Sequence, residues 1–213
     1  MKRSVIGILL LTFFLVFTVS CKTNGNEITK INDIGSETPL YEVKFKDGSV
    51  LYYDSDVKRR GSDIDYDVAP KQRALTKKEY EELFPGLELS EETAGYFDPE
   101  TGELIRTYAI VGLVPFRSTT YVYTGRKYVD VLEEISGGKT SEIDGITINA
   151  CCVKAKGSEP SYNVSAVFYM EDWYTYVNTL LQGEAEEALK KNAEIVMSLI
   201  RNKNAWLKTK IKY

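Results

Sequence analysis

Apolar and polar side chains alternate strictly along much of this chain, and the alternation predicts strands joined by tight turns. Tyr41, Val43 and Phe45 alternate with Glu42, Lys44 and Lys46. Asp47-Gly48 then supplies a turn and residues 49–53 return, which reads as a hairpin. The pairs Tyr96-Phe97 and Leu104–Val111 flank a polar stretch, 98–103, with the proline and glycine of a connection. Thr119–Thr124 and Ile146–Ala155 read as further strands. Near the C-terminus, Tyr162–Met170 puts Val164, Ala166, Phe168 and Met170 on one face. Glu171-Asp172 turns the chain, and Trp173–Leu181 returns as an aromatic, β-branched strand.

Three segments change period from two to 3.6. Thr76-Lys77-Lys78-Glu79 has the form of a capping box, and a short helix bearing Tyr80, Leu83 and Phe84 ends at Pro85-Gly86. Tyr128, Val131, Leu132 and Ile135 predict a helix over Arg126–Ser136, stopped by Gly137-Gly138. Glu184–Asn202 carries Ala185, Ala188, Leu189, Val196, Leu199 and Ile200 on one stripe, with acids at its start and Arg201 and Lys203 at its end. Asp54–Arg73 has neither period and reads as a long polar loop. The basic tail Lys208–Tyr213 reads as a short edge strand guarded by charge; a weak attraction of its lysines to anionic lipid is the other reading. The expected class is α+β: mostly antiparallel sheet with two or three helices, the C-terminal amphipathic helix packed on the sheet. A helix-then-strands order in 75–124 and again in 126–181 raises a duplicated unit as one arrangement.

Residues 1–21 follow a different logic. Lys2 and Arg3 precede an apolar run from Val5 to Val19, then Ser20-Cys21. A basic head, a run too short to cross a bilayer as a helix and a small residue before the cut are the parts of a secretory signal. Val19-Ser20-Cys21 resembles the lipobox of bacterial lipoproteins, with Thr18 where leucine is commonest. The resemblance implies cleavage before Cys21 and a diacylglycerol on its thiol. The expected organisation is a signal peptide over 1–20, a lipid anchor and flexible tether over 21–35, and one α+β domain over 36–213, or two small intimate subdomains. The strand, turn, aromatic strand and final helix near the C-terminus resemble small α+β domains of unknown function in bacterial lipoproteins, a resemblance that carries no catalytic residues.

Composition narrows the chemistry. The 213 residues contain no histidine. That removes Ser-His-Asp and Cys-His catalysis, imidazole bases and histidine-containing zinc sites. Loss of Lys2 and Arg3 with the signal leaves a mature net charge of roughly −6, which argues against nucleic acid as a partner. With Cys21 assigned to lipid, Cys151 and Cys152 remain. Neighbours in a strand point to opposite faces, so one is expected in the core and the other partly exposed, as apolar fillers rather than a disulfide or a vicinal thiol site.

Asp63, Asp65 and Asp67 stand at the spacing that opens an EF-hand loop. Val68 replaces the turning glycine and Ala74 the bidentate glutamate, so a solvated acidic loop is expected in place of a calcium site. Carboxylate pairs such as Glu133-Glu134 and Glu171-Asp172 have no special setting. No catalytic residue, metal or cofactor is assigned. The aromatics of the last hairpin are the candidate ligand contacts: Tyr169, Trp173, Tyr174 and Tyr176, beside Phe168. The expected function is a lipid-anchored, extracytoplasmic and non-enzymatic binding module at the cell membrane or outer membrane. It is held by its N-terminal lipid and takes a protein, a peptide or a small envelope ligand. A structural component of the envelope is the alternative, and a histidine-free carboxylate hydrolase the third reading.

Overall fold

Thirteen strands and three helices account for the described residues of this computed structural model, which are 26–61, 69–89, 93–114, 118–126, 132–157 and 159–213. In chain order these are β1 (Ile28–Asp33), β2 (Leu40–Phe45), β3 (Val50–Asp54), β4 (Lys58–Gly61), β5 (Lys71–Ala74), α1 (Lys77–Leu83), β6 (Ala94–Phe97), β7 (Leu104–Val114) and β8 (Ser118–Arg126). There follow β9 (Glu133–Ser136), β10 (Ser141–Ile143), β11 (Ile146–Lys154), β12 (Ser161–Met170), β13 (Trp173–Gln182), α2 (Ala185–Arg201) and α3 (Lys203–Leu207). The large sheet runs β10-β11-β12-β13-β8-β7-β6-β5. A second sheet runs β1-β2-β3, and β4 pairs with β9 as a two-stranded ribbon. Every ladder between named strands is antiparallel, so the α+β class with mostly antiparallel sheet holds.

Local chemistry explains the elements that were expected. Gly48 takes φ 89°, as the turn between β2 and β3 demands, and Asp47 Oδ1 accepts from the Ser49 amide at 3.0 Å. At α1 the Thr76 hydroxyl accepts from the Glu79 amide, while Glu79 Oε2 accepts from the Thr76 amide at 2.8 Å. The tail closes on the large sheet: the Leu104 amide donates to the Ile211 carbonyl and the Tyr213 amide to the Gly102 carbonyl.

Other expectations are corrected. The tether was drawn through residue 35, yet β1 lies inside that stretch and pairs with β2, with Ile28 and Ile31 packed against the core. The polar segment 54–73 contains β4 and most of β5. Their side chains are mostly exposed and charged, so no apolar alternation marks them. Within the helix expected over 126–136, Arg126 ends β8 and Glu133–Ser136 form β9. Ile135 does turn inward, but as the buried residue of a strand opposite Arg59. This also removes a helix start for the second half of the suspected duplication at 133–136. Cys151 and Cys152 point to opposite faces, but both are buried and unbonded. The acidic trio Asp63, Asp65 and Asp67, and Cys21 with the signal before it, lie outside the described residues.

The main core forms on one face of the large sheet. Val164, Ala166, Phe168 and Met170 of β12 stand in register with Thr179, Val177, Thr175 and Trp173 of β13. Val43, Phe45, Leu51 and Tyr53 of the small sheet and Leu189, Val196 and Ile200 of α2 belong to the same buried cluster. At its centre Asn192 of α2 is wholly buried and fully hydrogen-bonded. Its Nδ2 donates to the Val164 carbonyl (3.0 Å), the Val177 carbonyl (3.3 Å) and Thr179 Oγ1 (3.2 Å), and its Oδ1 accepts from Tyr53 Oη (3.0 Å).

Candidate functional site

The opposite face of the large sheet is built from tyrosine. Register aligns its side chains in rows across the strands. Tyr108 of β7 stands beside Tyr123 of β8, which stands beside Tyr176 of β13 and then Val167 of β12. One row on, Ile110, Tyr121, Asn178 and Ser165 are neighbours. In the other direction come Tyr96, Arg106, Gly125, Tyr174 and Tyr169. The two-residue period of five adjacent strands, β12, β13, β8, β7 and β6, puts all of these on one side of the sheet.

Part of this face is roofed. The ribbon β4–β9 crosses β11 and β12, and Ile135 packs with Cys151, Val167, Tyr123 and Tyr174 in a second, smaller core. Tyr174 fastens the ribbon: its hydroxyl donates to the Glu133 carbonyl (2.6 Å) and accepts from the Glu133 amide (3.0 Å). Arg59 of β4 pairs with the Glu133 carboxylate, which holds the guanidinium firmly charged. Burial beneath the ribbon pushes the Tyr174 and Tyr176 phenols far above their ordinary value, so both stay protonated hydroxyls. It likewise lifts the Cys151 thiol to about 11, and burial on the core side lifts Cys152 to about 12.

Beyond the ribbon the tyrosines are half-buried. Tyr108 and Tyr121 stack at 5.9 Å between centroids with planes 26° apart. The Arg106 guanidinium lies over the Tyr96 ring at 3.9 Å and within 5.8 Å of the Tyr123 ring, contacts each worth about 0.5–2 kcal/mol. Tyr123 leans across Gly125, where an added methyl would come within 3.0 Å of the phenol oxygen. The missing side chain is what lets that ring lie over the row. Leu180 and Val153 stay exposed at one end of the face and Tyr169 at the other. Asn163, Ser165 and Asn178 form a short polar seam, with Ser165 Oγ bonded to Asn163 Oδ1 at 3.1 Å and Asn178 Oδ1 at 3.3 Å. Standing phenol rings with hydroxyl tips offer apolar sides and hydrogen bonds together, the combination that recurs at protein and peptide interfaces.

The four aromatic candidates separate on this geometry. Trp173 faces the core, fully buried, against Trp206 at 5.2 Å and beneath the Arg126 guanidinium at 4.3 Å. Tyr174 is fully buried under the ribbon. Tyr176 is half-buried at the ribbon's edge, and Tyr169 is 39% exposed, its ring 5.6 Å from that of Tyr174. Sequence reasoning missed Tyr96, Tyr108, Tyr121 and Arg106. The alternation of Tyr121 and Tyr123 was visible, but the pairing of β8 with β13 that joins them to Tyr176 was not. Among the described residues no cluster of three or more Cys, Asp or Glu is placed to hold a metal, and no helix is long and apolar enough to cross a membrane. No protein family, curated protein or solved structure matches the chain.

Proposed function

We propose that the chain is a lipid-anchored, extracytoplasmic binding module, moored at Cys21, whose tyrosine face takes a protein or peptide. The observation that carries the reading is the collection of Tyr96, Tyr108, Tyr121 and Tyr176, all half-buried, on the face turned away from the main core. Tyrosine loses little rotamer freedom per contact formed, and tyrosine and arginine are both over-represented where binding energy concentrates. The C-terminal helix, tied through Asn192 to strand carbonyls of Val164 and Val177, keeps the platform pre-organised in this reading. The absence of histidine from the sequence fits holding better than acid–base turnover.

Two experiments test the two halves. Cys21→Ser is expected to release the protein from membranes and abolish incorporation of labelled palmitate; unchanged partitioning with no label in either form overturns the anchor. A photoreactive phenylalanine at Tyr121 is expected to give a discrete cross-linked adduct in intact cells, where the same probe at Lys190 on the exposed side of α2 does not. Equal labelling at both positions overturns the face.

A further inference from the structure

Residues 203–213 cross the open ends of the strands as a strip. The strip starts at the β10–β11 turn, where the Lys203 ammonium donates to the Asp144 carbonyl at 2.9 Å. Trp206 packs on Trp173 at the start of β13, and Leu207 lies near Met170 at the end of β12. The Leu104 amide then donates to the Ile211 carbonyl, and the Tyr213 amide to the Gly102 carbonyl, at the turn before β7. Trp206 and Ile211 are buried and hold the strip down, while Lys208, Lys210 and Lys212 are exposed. Among the described residues none of these three lysines is in an ion pair.

The same end of the molecule receives the chain from Cys21. The Lys46 amide donates to the Glu27 carbonyl at 2.9 Å, beside the β2–β3 turn, and Asp47 of that turn pairs with Arg201, just ahead of Lys203. Residues 22–25 are all that separate Cys21 from Asn26, the first described residue, so the link reaches about 18 Å at most. β12 and β13 are ten residues each, a length of about 30 Å. A lipid on Cys21 therefore holds this end nearest the bilayer and the far end, with Lys156 beyond β11, away from it. Of the acids here, Glu27, Asp47 and Asp172 pair with Lys46, Arg201 and Arg126, and Asp98 accepts from the Glu100 and Thr101 amides. Asp144, Glu171, Glu100 and Glu103 remain on the turns, so charge at this end is near balance. The acyl chain brings the end down, and the lysines select the part of it that meets phosphate.

We propose that the strip 203–213 is the lipid-facing surface of the protein, with Lys208, Lys210 and Lys212 against the phosphates of the leaflet that carries the anchor. The inference rests on Cys21 bearing a lipid. It also orients the tyrosine face. β8, β12 and β13 rise from the bilayer, Tyr169 stands nearest the lipid and Leu180 farthest, and the face opens sideways to a partner at the same membrane.

The test uses the protein purified from bacterial membranes and placed in vesicles of phosphatidylethanolamine and phosphatidylglycerol. Mass spectrometry first reads the diacylglycerol on Cys21; its absence refutes the anchor itself, separately from the orientation. Asn204→Cys and Lys156→Cys, both at exposed positions, each carry a fluorophore, while the buried Cys151 and Cys152 take none. A nitroxide on the lipid headgroup is expected to quench the label at position 204 and to spare the one at 156. Changing Lys208, Lys210 and Lys212 together to glutamine should leave the melting temperature unchanged and lower quenching at 204 by about half or more. Equal quenching at the two positions, or stronger quenching at 156, overturns the orientation. Undiminished quenching in the triple variant overturns the lysine contact.

Discussion

Tyr174 closes both backbone groups of Glu133 with one hydroxyl, donating to its carbonyl at 2.6 Å and accepting from its amide at 3.0 Å. A single phenol oxygen thus pins the ribbon β4–β9 to the large sheet. Tyr174→Phe keeps the ring and leaves a buried N–H and C=O without their partner. The expected cost is about 1–3 kcal/mol in urea unfolding, with the Cys151 thiol becoming more reactive as the ribbon lifts. A phenylalanine variant as stable as wild type would show that the ribbon is held by Ile135 and Arg59 alone.

Asn192 sits at the other side of the sheet with four partners and no exposure. Asn192→Ala removes a side chain that satisfies two strand carbonyls and two hydroxyls, and should cost about 3 kcal/mol or more. Tyr53→Phe removes one of those bonds and should cost about 1 kcal/mol. In the double variant the two effects should not add, because Tyr53 Oη and Asn192 Oδ1 share one bond; a double-mutant cycle by denaturant titration measures the shortfall.

Glu79 links stability to acid. The Arg73 guanidinium, bound to both carboxylate oxygens at 2.7 Å, and then the Thr76 amide and hydroxyl hold its carboxyl down at about 2, against an ordinary 4.5. A folded-state value below the unfolded one stabilises the fold above pH 4.5 and stops doing so as pH falls toward 2. Because both side chains keep some solvent contact, the effect is about 1–2 kcal/mol after screening. Glu79→Gln should therefore be less stable at pH 7 and lose less stability between pH 4.5 and 2, as read from chemical denaturation at a series of pH values.

The two vicinal thiols should be inert in the native protein. Burial raises Cys151 to about 11 and Cys152 to about 12, from an ordinary 9.0. A thiolate fraction lowered by two to three powers of ten, together with steric cover, predicts alkylation by iodoacetamide at pH 8 at least about a hundredfold slower than in unfolded chain. Rapid labelling of the folded protein at either position, read by mass spectrometry, would contradict this burial.

What could be read from the chain beforehand follows the range of the forces involved. The Asp47-Gly48 turn, the Thr76–Glu79 capping box and the last hairpin are written in neighbouring residues, and all three stand as expected. The ribbon is not local: Lys58–Gly61 finds its partner at Glu133–Ser136, and its charges on the outer side hide the alternation. Ile135 and Leu132 fit a helical stripe as well as a strand until Arg59 is known to lie opposite. The tyrosine face failed to show for the same reason. Tyr121 and Asn178 are neighbours only because β8 and β13 pair. One of Cys151 and Cys152 is expected partly exposed from strand alternation alone, and the ribbon covers the Cys151 side, so both are buried.

The pairing of β8 with β13 has a consequence for how the molecule is made. The large sheet is two hairpin arrays, β5 to β8 and β10 to β13, sewn together along that one ladder. Synthesis delivers β8 well before β13, so the first array spends an interval with a long, tyrosine-rich border unsatisfied. Such a border invites the wrong neighbour, and truncation ahead of Trp173 should turn a well-behaved chain into one that clumps or is degraded.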